Sequence, residues 1–259
     1  MSPGYLRSLL FTDPLIVVLT ILMGTVSLVT TFFDSTGRRP HKIARKWARM
    51  LLSVSGVRVT IEGLEKIDPD GPYVFVANHR SYMDTPVVLG SVPVEFRFFA
   101  KKGLFLIPFL GTHLKRAGHL PVVRGNARES LKSMTQGAHL IRERNVSVLL
   151  FPEGGRTEGP MREFKEGAAY IAMKAGVPLL PLGIQGTRAV LPKGSGHIRA
   201  GEVLLRVGDP IPTSGMKPQD RSQLNIRLER VVAELAGQAP AASVPIPEAS
   251  HPAAGHRSL

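Results

Sequence analysis

Cysteine is absent from this chain of 259 residues. That excludes disulfides, Cys-ligated zinc, iron–sulfur clusters and any thiol nucleophile together. Acids are scarce too, with 20 Asp and Glu against 33 Lys and Arg, leaving a net charge of +13. Aromatics make up only 6% of the residues and tryptophan occurs once. No basic stripe interleaved with aromatic rings therefore points to nucleic acid. Charged residues at 20% and hydrophobic ones at 43% exclude global disorder. The length allows one good-sized globular domain plus appendages, and there is no internal repeat. Excess positive charge suits nucleic acid, an anionic membrane surface or a phosphorylated substrate, and its placement decides between them.

From Pro14 to Phe33 run twenty residues without a charge, bounded by Asp13 and Asp34. A helix of that length crosses a hydrocarbon core of about 30 Å. Thr20, Thr25, Ser27, Thr30 and Thr31 dilute its hydrophobicity. The run is long for a cleaved signal peptide, and no small-x-small cleavage site follows it, so the segment reads as a retained anchor. Next come Arg38, Arg39, Lys42, Arg45, Lys46 and Arg49 without an intervening acid. Ile43, Trp47, Met50, Leu51 and Val54 fall at helical spacing among them, giving a helix with one apolar and one basic side. Such a helix lies in the headgroup layer of an anionic membrane with Trp47 at the interface, or packs its apolar side on the domain. A single span and a two-helix hairpin in one leaflet both fit. The basic cluster puts the following domain on the cytoplasmic face of the cell membrane.

After Gly56 short apolar strands alternate with helices. Strands are expected at 57–62, 73–77, 97–100, 119–123, 146–151, 179–184 and 203–207. Helices are expected at 85–91, 102–110, 127–144, 167–175 and 220–236, the last with Asp220 as its N-cap. The fold class is α/β: a mixed, largely buried sheet covered by helices, preceded by a membrane-embedded or interfacial helical segment. Three parts are expected: an anchor and basic helix over 1–55, the α/β domain over 56–236, and a disordered Ala/Pro-rich tail over 237–259.

Two segments that directly follow strands carry chemistry. In NHRSYMD, Asn78 to Asp84, His79 brings an imidazole, the side-chain type best suited to a general base. Asp84 can turn back across a tight loop, accept the imidazole N–H and fix the tautomer, or cap the helix that follows. No G-x-S-x-G elbow supplies a nucleophilic serine. The pair suits activation of a substrate hydroxyl. In FPEGGRTEGP, Phe151 to Pro160, Gly154 and Gly155 let the backbone approach an anionic ligand, and Arg156 offers a fork of donors suited to phosphate. Glu153 can hold a substrate hydroxyl or orient Arg156. Lys101, Lys102 and Arg124 add cations near strand ends. Leu104, Phe105, Ile107, Phe109 and Leu110 form an apolar surface for core packing, an acyl channel or lipid.

Taken in order, NHRSYMD, GHLPVVR (118–124), FPEGGR (151–156) and VPLLP (177–181) resemble the four blocks of the glycerolipid acyltransferases, most of all those acting on 1-acylglycerol-3-phosphate. The resemblance covers about residues 70–190. It implies His79 as base and Asp84 as its partner, a substrate-phosphate role for Arg124, and glycerol-phosphate binding by Glu153, Gly154 and Arg156; Lys101, by its charge near a strand end, is a further candidate for holding anionic substrate. It implies transfer of an acyl group from acyl-CoA or acyl carrier protein to lysophosphatidate, with no cofactor and no metal. Gly155 stands where the family carries Thr or Ser, which removes a hydroxyl from the acceptor site. Acceptors such as a lyso-aminolipid or glycerol-3-phosphate stay open, as does a non-catalytic basic membrane-binding protein.

Overall fold

The computed structural model describes residues 3–123, 125–239 and 241. Arg124 and nearly all of the expected tail lie outside the described residues. Seven strands form one mixed sheet: β1 (Val57–Glu62), β2 (Val74–Ala77), β3 (Phe96–Lys101), β4 (Leu120–Val122), β5 (Ser147–Leu150), β6 (Leu179–Gln185) and β7 (Gly201–Val207). Their order is β1-β7-β6-β2-β5-β3-β4, parallel throughout except between β6 and β7. The mixed α/β sheet expected from the alternation of apolar runs is the one the chain forms.

Every residue of β2 and β5 is buried, as a parallel sheet covered on both faces requires. Side chains alternate between two cores. Phe75, Ala77, Leu149, Leu180 and Leu182 join one cluster, whereas Val74, Val76, Val148, Leu150 and Leu179 join the other. Burying each of the larger side chains contributes about 1.5–3 kcal/mol. The second cluster is roofed by helices at Ala127–Arg144, Gly167–Ala175 and Arg221–Leu235. The last of these packs so closely on β6 that a Cβ at Gly183 would sit 2.3 Å from the Leu235 carbonyl carbon. Asp220 does not cap it with its side chain; its carboxylate instead accepts the Lys217 N–H at 2.7 Å.

The N-terminal helices cover the first cluster. We label the helices used below α1 (Pro3–Arg7), α2 (Asp13–Thr30), α3 (Arg38–Ser55), α4 (Asp84–Ser91) and α5 (Leu110–Arg116). A π-helical turn, Ser8–Thr12, joins α1 to α2. Leu19, Ala48, Leu51 and Leu52 share a core with Phe75, Phe96 and Leu205. The basic helix α3 therefore spends its apolar side on the domain rather than on a headgroup layer. Trp47 donates its ring N–H to Thr20 Oγ1 at 3.1 Å. Half of the cluster's cations are also engaged: Arg45 and Arg49 donate to the Pro93 and Gly90 carbonyls, and Arg38 pairs with Glu95 at 3.5 Å.

Both ends of the apolar helix are tied to the α/β domain. At one end Ser8 Oγ donates to Asp13, Ile198 N–H donates to Ser8 Oγ at 3.0 Å, and His197 Nδ1 lies 3.4 Å from Asp13 Oδ2. At the other, Arg116 donates to the Thr31 hydroxyl and carbonyl at 3.1 and 3.0 Å, and Arg97 donates to the Thr36 carbonyl at 2.8 Å.

One expected helix does not form. Lys102–Leu106 is a 3₁₀ turn, and the α-helix begins only at Leu110. Pro108 has no N–H for an i→i−4 bond and biases Ile107 toward extended backbone, so the periodic apolar residues cannot join into one helix.

Beneath the α2–α3 pair lie three histidines beside the buried Arg97: His41, His113 and His119. His119 Nδ1 accepts the Phe98 N–H at 3.0 Å. Burial, with the charges of Arg97 and Arg45, pushes His41 down to about 3, and burial drives His119 well below its ordinary value. The unfolded chain takes up protons on both below about pH 6.5, whereas the folded chain leaves His41 neutral until about pH 3. Stability is thus full above pH 6.5 and lost as pH falls. His41 alone accounts for about 2 kcal/mol at pH 5. The unfolding midpoint followed by circular dichroism in detergent drops between pH 7.5 and 5; an unchanged midpoint contradicts neutral burial of these rings.

Candidate active site

Register brings the two chemistry-bearing segments together. Val76 of β2 lies opposite Leu150 of β5 in the parallel pair, so His79 and Glu153, each three residues further on, come level at the same sheet edge. Carboxyl ends of parallel strands are where open α/β sheets place ligands. Lys101 and Val122 end the neighbouring pair β3 and β4 at that edge.

His79 Nδ1 lies 2.8 Å from Asp84 Oδ2. Asp84 is fully buried and begins α4. It makes no forward capping bond; its Oδ2 also accepts the Arg80 and Ser81 N–H groups at 2.7 and 2.8 Å. Oδ1 accepts the Thr187 hydroxyl at 2.6 Å. Four donors on one buried carboxylate hold its plane. The ring of His79 stacks on Phe151, centroids 4.2 Å apart and planes 20° from parallel. With Nδ1 engaged by the carboxylate, Nε2 is the nitrogen left for a substrate proton.

Glu153 sits differently from a substrate contact. It is buried, and Oε1 accepts the His79 backbone N–H at 2.6 Å. Oε2 accepts the Thr157 hydroxyl at 3.2 Å and the Arg162 N–H at 3.3 Å. Burial raises its carboxyl pKa, while these donors pull the other way. Further ties cross between the same two loops: Thr157 N–H to the His79 carbonyl at 3.2 Å, and Arg80 to the Glu158 and Gly159 carbonyls. The Arg156 guanidinium lies over the Tyr82 ring, 3.2 Å from its centroid.

The site opens into a cavity of about 860 Å³ whose lining includes His79, Lys101, Gly154, Gly155 and Arg156. Its apolar walls come from Met23 of α2, Trp47 of α3, Phe98 and Phe99 of β3, and Leu104 and Leu110. Of the seven site residues read from the sequence, five border or anchor this space directly: His79, Lys101, Gly154, Arg156 and, behind His79, Asp84. Glu153 lies beneath it, and Arg124 is outside the described residues. Gly154 adopts φ +71°, and a Cβ there would lie 3.2 Å from Lys165 Cε and Nζ. Lys165 and Lys193 line the cavity as well, and neither has a carboxylate within ion-pair distance among the described residues. Sequence reasoning missed these two lysines and Thr187. Thr187 follows Gly186 just beyond β6 and carries no signal in its own neighbourhood; the VPLLP resemblance stops six residues before it.

Comparison with known proteins places this geometry. The profile of the family described as Acyltransferase matches residues 58–185. A chloroplastic 1-acyl-sn-glycerol-3-phosphate acyltransferase of Brassica napus, BAT2, is 34% identical over 199 residues, covering 75% of this chain and 57% of that protein. The human 1-acyl-sn-glycerol-3-phosphate acyltransferase alpha is 30% identical over 180 residues, covering 69% of this chain and 64% of its own. The chain thus spans somewhat more than half the length of the curated relatives it matches. The crystal structure of the 1-acyl-sn-glycerophosphate acyltransferase PlsC from Thermotoga maritima superposes with a TM-score of 0.74 at 28% identity, covering 90% of this chain and 95% of that one. A half-buried histidine paired with a buried aspartate at the end of a parallel strand, a glycine–arginine loop level with it, and likeness in both sequence and fold together show that this chain belongs to the acyltransferase family.

Proposed function

We propose that the protein transfers a fatty acyl group from an acyl thioester to the sn-2 hydroxyl of 1-acylglycerol-3-phosphate, forming phosphatidate. The observation that carries this reading is the His79–Asp84 contact of 2.8 Å at the mouth of an apolar cavity bordered by Lys101, Arg156, Lys165 and Lys193. An apolar cleft with a cationic rim suits a lipid bearing a phosphate. His79 Nε2 takes the hydroxyl proton as the oxygen attacks the thioester carbonyl. Asp84 stabilises the imidazolium, and backbone N–H groups or a lysine ammonium stabilise the tetrahedral oxyanion. Collapse breaks the C–S bond, and the imidazolium returns its proton to the departing thiolate. Acyl-CoA or acyl carrier protein enters as co-substrate, and no cofactor takes part. Arg124 joins Arg156 and Lys101 in holding the acceptor phosphate, and Gly154 gives it a close approach to the backbone.

The Gly4–Thr30 helix is long and apolar enough to enter a membrane, and residues 1–55 act as the membrane-contacting part of the enzyme, 56–236 as its catalytic part. Because Asp13 and Thr31 are both tied to the same domain, a hairpin seated in one leaflet fits better than a span. The catalytic edge then faces the cytoplasmic leaflet of the cell membrane.

Gly155 borders the cavity without a hydroxyl, which favours, as second reading, a related acceptor such as a lyso-aminolipid or glycerol-3-phosphate. Purified protein supplied with each acceptor in turn, and with acyl-CoA or acyl carrier protein as donor, separates the readings. Phosphatidate formed from lysophosphatidate at the highest kcat/KM is the expected result. A higher value with another acceptor gives the second reading; acyl release without an acceptor rejects both.

A further inference from the structure

The connection from β3 to α5 exposes two large apolar side chains to a degree matched, among the described residues, only near the N-terminal helix: Leu106 is 76% and Phe109 77% exposed. Phe109 has φ 61° and ψ −56°. The Leu110 N–H donates to the Pro108 carbonyl across it at 2.7 Å, closing a γ-turn of the rare, strained hand. The turn is held from behind. Phe105 is buried, and a Cβ at Gly111 would lie 2.2 Å from the Phe105 carbonyl oxygen. A rigid turn thus aims two apolar side chains outward, where water gives them nothing.

Their surroundings identify what covers them. α5 runs directly from the turn to Arg116, which holds Thr31 and lies 4.2 Å over the ring of Phe32. Phe32 and Phe33, at the end of the apolar helix, are 61% and 76% exposed. The turn and the end of the apolar helix therefore sit at the two ends of one short helix. Lys101 precedes the turn and Lys115 follows it, while Lys102 is taken up by Glu129 at 2.9 Å; the two remaining cations are complementary to anionic headgroups. Leu104 and Leu110, on either side of it, line the cavity that holds His79.

We propose that Leu106 and Phe109 form a second membrane-insertion point, separate from the N-terminal helices, which enters the acyl region of an anionic bilayer and opens the cavity to lipid. The proposal rests on the membrane-associated acyltransferase reading above. Seated this way, a lysolipid passes into the cavity between Leu104 and Leu110 without crossing water.

The absence of cysteine makes the test direct. Leu106→Cys and Phe109→Cys are labelled with nitrobenzoxadiazole and mixed with vesicles of phosphatidylcholine and phosphatidylglycerol that carry nitroxide on their acyl chains. Phe33→Cys serves as the N-terminal reference, and Ser214→Cys, exposed at the opposite sheet edge, as the blank. Fluorescence at 106, 109 and 33 falls at least about twofold, with no change at 214. Quenching at 33 without quenching at 106 and 109 overturns this proposal and leaves the membrane reading standing. Quenching at none of them overturns both. In parallel, the Leu106→Ser/Phe109→Ser variant lowers the ratio of turnover on long-chain vesicle-borne lysophosphatidate to turnover on a short-chain soluble one by about tenfold. An unchanged ratio overturns the proposal.

Discussion

Exchanging His79 for alanine lowers the rate of acyl transfer by about 10²–10⁴-fold, the usual contribution of a positioned general base. The protein stays folded, because the exchange leaves the rest of the site satisfied. Asp84 keeps the Arg80 and Ser81 amides and the Thr187 hydroxyl, so no buried charge loses all its donors. The half-buried ring also gives up little core area. KM for both substrates changes little, since the imidazole acts mainly on the proton that moves in the transition state. Initial rates at saturating donor, circular dichroism and vesicle binding check these three points. Transfer within about tenfold of the parent would remove His79 from the base position. Exchange of Asp84 is less informative, because it strands four donors at once and confounds catalysis with folding.

Glu153→Gln lowers kcat by about 10–100-fold while KM for lysophosphatidate stays within about threefold. The resemblance to the family implies a substrate contact for this residue, and the geometry argues for another task. Both carboxylate oxygens are consumed inside the protein, one by the main chain of His79 and one by Thr157 and Arg162. Each hydrogen bond to a charged acceptor is worth about 1.5–3 kcal/mol, and an amide turned into this pocket sets N–H against N–H at one of them. The loss is felt as misplacement of the imidazole, for which displacement by about 1 Å costs on the order of 10²-fold. Steady-state kinetics decide it. A rise in KM with kcat unchanged would show that Glu153 touches the acceptor after all.

Local signals made much of this molecule legible. The strand before NHRSYMD and the strand before FPEGGR are short apolar runs bounded by polar turns, and both form where the pattern puts them. The His79–Asp84 contact was legible too, because five residues of tight loop can fold back only over a short distance. Lys102–Leu110 was not. Its apolar spacing suits a helix, but Pro108 and the close approach of Gly111 to Phe105 produce a turn that exposes the same residues. In the basic helix α3 the two faces were legible, but not which body the apolar face meets.

The sequence by itself determined the pieces: a long apolar helix, an α/β alternation, a histidine with a carboxylate partner, and a glycine–arginine loop. These rest on periodicity and on contacts between residues a few positions apart, which any chain with those residues would share. Only the tertiary structure decided that Glu153 serves the backbone of His79, that Thr187 completes the shell of Asp84, and that Lys165 and Lys193 face the same cavity. Each of those depends on contacts between segments far apart in the chain, set by which strands lie side by side and in what register. Cross-sheet pairing is a property of the packed core, and no window along the chain contains it.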